Sequence, residues 1–129
     1  MNAQSVIAPA PLVCEPISRT TLALFAGASG DHNPIHIDLD VARSAGLDDV
    51  FAQGMLSMAY LARCVTEAVP QHQLRTLTTR FVAITPLHAR PTCTAHVRGV
   101  ADDVATLDLA VTLDDGTLTL TGTATVALA

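Results

Sequence analysis

Residues 51–70 read FAQGMLSMAYLARCVTEAVP. From Phe51 or Gly54 to Val69 the pattern is helical, with Met55, Leu56, Met58, Ala59, Leu61, Ala62, Cys64, Val65, Ala68 and Val69 leaving almost no polar face. A helix apolar on all sides must be buried on nearly every side. Pro70 stops it, because proline has no amide hydrogen to donate and its ring clashes with the preceding turn. The rest of the chain therefore has to supply a wrapper.

The wrapper follows at once. Leu74–Ile84, Thr92–Val100, Val104–Leu113 and Thr117–Leu128 are rich in Thr and Val. Thr119, Thr121, Thr123 and Thr125 alternate with Leu118, Leu120, Val126 and small residues, which is the period of a half-buried strand. Asp114-Asp115-Gly116 is hairpin chemistry between the last two runs, and Pro86 and Pro91 bracket a bend. Ahead of the long helix, residues 12–17 read as a short first strand. A short helix over roughly 20–28 is capped by Ser18 or Thr20 and ends at Gly27-Ala28-Ser29-Gly30. Asp38 or Asp40 caps a turn through Val41–Ala45, which Gly46 ends. Residues 1–11 are expected to be a flexible N-terminus and residues 12–129 a single domain. The fold class is α+β: an antiparallel curled sheet wrapped around one long buried helix, the hot-dog fold.

Composition narrows the class of function. The chain has 129 residues, half of them apolar, only 15% charged, and a net charge of −5. That balance argues against disorder and against nucleic acid as a partner. All seven basic residues are Arg, and one or two of them can meet phosphates through a planar fork. Cys14, Cys64 and Cys93 form neither a zinc pattern nor a disulfide framework, so a reducing cytoplasm is expected. Met1–Ala10 lacks the basic start and apolar run of a signal peptide. No apolar stretch approaches the ~20 residues that span a bilayer, so no membrane partner is expected.

The chemistry concentrates in Ser29-Gly30-Asp31-His32-Asn33-Pro34-Ile35-His36. Alone, Asp31 after a glycine reads as an Asx turn or helix cap, and His36 as a hydrogen-bonded structural histidine. Together they put a carboxylate, an amide and two imidazoles into six residues. Pro34 drives Asn33 towards an extended conformation and stiffens the loop, so that Asp31 and His36 face one site. A metal site from His32, His36 and Asp31, Asp38 or Asp40 is not expected, since Pro34 breaks the helix that i, i+4 ligands require.

The segment resembles the signature of the MaoC-like (R)-specific enoyl-thioester hydratases and dehydratases. The matching residues are Gly30-Asp31, Asn33-Pro34, His36, Ala45-Gly46 and Gly54-Met55, within a resemblance spanning about residues 18–128. It implies reversible addition of water to a trans-2-enoyl thioester, giving the (3R)-3-hydroxyacyl thioester. Asp31 and His36 would carry the proton transfers, and Asn33 would hold the loop or contact the water. The backbone N–H of Gly54, at the helix start, would donate to the developing oxyanion. Gln53 stands where many relatives have His and is expected to keep a positioning role. Met55 is core filling or a lining of the acyl tunnel. Some relatives carry a Ser on the buried helix; the aligned position here is Ala59, with Ser57 two residues earlier.

No cofactor is implied beyond the substrate's carrier, coenzyme A or acyl carrier protein. Two other readings compete: a hot-dog thioesterase, and a non-catalytic acyl-thioester-binding subunit of a heteromeric dehydratase. The first wants an acid on the buried helix, where only Glu67 stands, near its far end. The second would have lost Asp31 or His36. Open sheet edges and apolar composition point to a homodimer, with a heterodimer of related subunits as the alternative.

Overall fold

The computed structural model describes residue 7 and residues 9–128. Along the chain come β1 (Leu12–Val13), α1 (Arg19–Ser29), a 3-10 turn (Pro34–His36), α2 (Leu39–Ser44) and α3 (Gly54–Thr66). A second 3-10 turn (Gln71–Gln73) leads into β2 (Leu74–Phe81), β3 (Thr92–Ala101), β4 (Val104–Thr112) and β5 (Leu118–Ala127). The strands form one antiparallel sheet in the order β1-β3-β4-β5-β2.

Register sorts the side chains by face. Leu107, Leu109 and Val111 of β4 lie opposite Ala124, Gly122 and Leu120 of β5, while Thr106 and Asp108 lie opposite Thr125 and Thr123. Successive residues point to opposite faces, so the first set falls on the core side and the second on the solvent side. The core side packs with Leu61, Cys64 and Val65 of α3, and with Val69 beyond it. A second core of Ile17, Leu22, Ala42, Val50, Leu56 and Leu87 fills the helical half, and Tyr60 packs against both. The three cysteines are buried and free. A hydrogen bond with Cys14, together with burial, holds the Cys93 thiol far above its ordinary range.

Several expectations need correcting. α3 is not buried on nearly every side: Met55 is 53% exposed, and Ala59 and Arg63 are exposed one and two turns further on. These i, i+4 positions share one face, which the sheet of this single chain leaves open. The regular helix ends at Thr66, because the amides of Ala68 and Val69 both turn back to the carbonyl of Val65. The first strand is two residues long. Beyond it the amides of Cys14 and Ile17 reach the carbonyls of Pro91 and Ala89, but Pro16 has no amide hydrogen with which to continue the ladder. β2 stops at Phe81, where the amides of Val82 and Ala83 share the carbonyl of Thr119. The flexible start expected over 1–11 falls, for residues 1–6 and 8, outside the described residues; Ile7 is 2% exposed and belongs to the main core.

Candidate active site

Ser18 caps α1 by accepting from the amide of Thr21, and Gly30 ends it in the left-handed region (φ 80°), turning the chain into the polar loop. There each side chain holds the next stretch of backbone. Ser29 Oγ accepts from the amide of Asp31, Asp31 Oδ1 from that of Asn33 at 3.3 Å, and Asn33 Oδ1 from that of Ile35 at 3.2 Å. Asn33 is extended (φ −59°, ψ 119°), as the residue before a proline prefers, and Pro34 opens the 3-10 turn. Asp31 therefore does form an Asx turn, but with only one of its oxygens.

The other oxygen, Oδ2, lies 3.7 Å from Nε2 of His36. His36 is buried at the end of the turn, while the Asp31 side chain is 39% exposed. Nδ1 of His36 is 2.8 Å from the carbonyl oxygen of Phe51, whose ring packs edge-on against the imidazole. A carbonyl only accepts, so Nδ1 carries a proton, and Nε2 is the ring nitrogen turned towards Asp31.

Phe51 connects this pair to a pocket of about 320 Å³, lined by Phe51, Gly54, Ser57, Phe81, Ile84 and Thr85 among others. Two ties pin the segment: an isolated bridge between Phe51 and Pro86, and the amide of Ala52 on the carbonyl of Thr85. Gly54 begins α3, and Gln53 before it makes no side-chain capping bond. Amides of a helix's first turn have no intrahelical acceptor and carry partial positive charge. A Cβ at Gly54 would lie 3.0 Å from Cε1 of Phe81, so glycine here lets the Phe81 ring pack closely on the start of α3.

The structure thus brings Asp31 and His36 together and sets Gly54 on the adjoining pocket. Neither of the pair lines that pocket; the link is the Phe51 backbone. Asn33 serves the loop. Gln53 is fully buried, its Nε2 donating to the carbonyl of Leu22 at 3.0 Å, while its Oε1 has no partner among the described residues. Met55 is not among the residues lining the pocket. Ala59, the expected counterpart of the helix Ser in relatives, is exposed, and it is Ser57 that faces the pocket. Phe51, Phe81 and Thr85 were not foreseen. The available signal was scarcity: the chain has three Phe, and two of them wall this pocket. Among the described residues, no cluster of three or more His, Cys, Asp or Glu could hold a metal ion, and no helix is long and apolar enough to cross a membrane.

Residues 8–114 match the family model of the MaoC like domain. The chain is 31% identical over 98 residues to the 3-hydroxyacyl-thioester dehydratase Z of Mycobacterium tuberculosis, an overlap of 67% of this chain and 61% of that one. It therefore spans about 61% of the length of that curated relative. Among solved structures it is similar to the (R)-hydratase from A. caviae involved in PHA biosynthesis, with TM-score 0.84, 23% identity and 93% of each chain covered. It is also similar to the R-hydratase PhaJ1 from Pseudomonas aeruginosa in the unliganded form, with TM-score 0.82, 25% identity, and 91% of this chain and 77% of that one covered.

Proposed function

The chain belongs to the MaoC like domain family, and from that premise we propose that it adds water reversibly to trans-2-enoyl thioesters, giving (3R)-3-hydroxyacyl thioesters. One observation carries the reading: Asp31 Oδ2 and His36 Nε2 converge at 3.7 Å, with His36 Nδ1 already committed to the Phe51 carbonyl. A gap longer than a direct hydrogen bond suits a water shared between the two.

In the hydration direction, Asp31 orients that water and His36 Nε2 takes its proton as the oxygen bonds to C3. The electron pair of the double bond moves towards the thioester carbonyl, whose oxygen accepts from the amide of Gly54. The imidazolium, stabilised by the Asp31 carboxylate, then returns the proton to C2. Asn33 keeps the loop in register, and Gln53 ties the start of α3 to α1. The thioester is carried by coenzyme A or acyl carrier protein. Hydrolysis is disfavoured, because Glu67 caps the far end of α3 in an exposed pair with Arg63 at 3.0 Å. The test is absorbance at the enoyl-thioester band with C4, C8 and C16 substrates. Loss of the band with formation of the (3R)-hydroxyacyl product is expected. Release of free thiol with the band untouched would establish hydrolysis instead.

The same premise supports a homodimer. Among the described residues, β1 pairs with β3 only at Thr92 and Cys93, and Met55, Phe81, Val82 and Ile84 are each more than half exposed. Sedimentation should give about twice the 13.4 kDa of the chain. A single species at the monomer mass would contradict it, and mass recovered only with a related subunit present would establish the heterodimer.

A further inference from the structure

Ser57 and Thr85 have no task in the hydration scheme, yet both are buried polar residues on the pocket wall, 1% and 4% exposed. Ser57 Oγ lies 3.4 Å from Thr85 Oγ1, and among the described residues each hydroxyl has only the other as a side-chain partner. A hydroxyl offers one proton and two lone pairs. The pair uses one proton between its members, in a long bond, and leaves a second O–H without an acceptor among the described residues. Its surroundings are Phe81, Val82, Ile84 and Leu120, none of which has a side chain able to accept it. Ser57 also does not bond back to its own helix, the usual resort of a serine at such a position.

The placement says what this donor can meet. Ser57 is three residues past Gly54, on the same face and about 4.5 Å further along the axis. Gly54 is exposed and Ser57 buried, so a chain whose carbonyl rests at the Gly54 amide passes Ser57 on its way inward. The passing atoms lie a few bonds beyond the thioester carbonyl, just past the reacting double bond.

We propose that Ser57 and Thr85 select enoyl thioesters whose acyl chain carries a hydrogen-bonding oxygen, a hydroxyl or a carbonyl, just beyond the double bond, over alkyl chains of equal length. This rests on the hydration reading of the same site. A site that hydrogen-bonds a substrate oxygen rejects the analogue without it, because its own polar groups are left unpaired. Here the two hydroxyls can fall back on each other, so the discrimination is expected to be modest, about 10-fold in kcat/KM.

The test compares trans-2-hexenoyl-CoA with its 5-hydroxy and 5-oxo derivatives in the wild-type protein and in Ser57→Ala, Thr85→Val and Thr85→Ser. The expected result is a preference of about 10-fold for an oxygenated chain. It should collapse towards one in Ser57→Ala and Thr85→Val and survive in Thr85→Ser, which keeps the hydroxyl. Thermal melting identifies any variant that fails to fold, and Thr85→Val preserves side-chain volume where Ser57→Ala does not. Equal kcat/KM for hexenoyl and oxygenated chains in the wild type overturns the inference, as does a preference that persists in both hydroxyl-free variants. Hydration of no substrate at all would overturn the hydration reading as well, which separates the two failures.

Discussion

On the proposed hydration chemistry, replacing His36 by alanine should lower kcat/KM for crotonyl-CoA by about 10³-fold while the protein stays folded. The loss follows from geometry. Nε2 is the only imidazole nitrogen free to take a proton, since Nδ1 is held by the Phe51 carbonyl. Removing the ring leaves that carbonyl without its donor, a cost of about 1–3 kcal/mol that a folded domain of ordinary stability survives. Asp31→Asn is the gentler partner. The amide keeps the size of the carboxylate, and its oxygen can still accept from Asn33, so the loop persists, but the charge beside the imidazolium is gone. A loss of about 10² to 10³-fold is expected. Steady-state kinetics with circular dichroism on the same samples check both variants. Wild-type rates from either would remove the pair from the mechanism.

Gly54→Ala should lower kcat/KM by about 10²-fold without lowering the melting temperature. Alanine is the better helix former by up to about 1 kcal/mol, so stability alone gives no reason for a loss. The new methyl would stand 3.0 Å from Cε1 of Phe81, closer than the two groups can comfortably sit. The half-exposed ring can swing outward, but the methyl would still stand where the proposed chemistry needs a thioester to reach the first amide of α3. Adding Phe81→Ala to Gly54→Ala should recover part of the rate by freeing that space. An unimpaired Gly54→Ala enzyme would show that the substrate does not pass there.

Periodicity and punctuation made most of the fold legible. The four Thr- and Val-rich runs became β2 to β5 within a few residues, and Ser18, Asp38 and Pro34 took the cap and turn positions their chemistry suggests. The Asp31–His36 pairing was readable because all its determinants lie within one short loop. Depth was harder to read. A pattern apolar on every side does not say which stripe a given chain covers, and the exposed line through Met55, Ala59 and Arg63 depends on how far a distant sheet reaches. The pocket was least visible, since Phe51 and Ser57 in one stretch meet Phe81 and Thr85 in another only where the chain past β2, its Val82 and Ala83 amides sharing one carbonyl, brings Thr85 to Ser57 of α3. The exchange of Ala59 for Ser57 has the same origin: two residues along a helix is more than half a turn, and alignment by spacing does not see rotation.

The uncovered side of α3 bears on how catalysis responds to dilution. Met55 is wetted in a lone chain, and so are Phe81, Val82 and Ile84 around the pocket. If a second copy shields them, mass action links self-association to the melting point, and the shape of the entrance would follow the same equilibrium. Turnover per molecule would then fall on going from a concentrated stock to a trace amount, and an assay run at a single low concentration would understate the proposed activity.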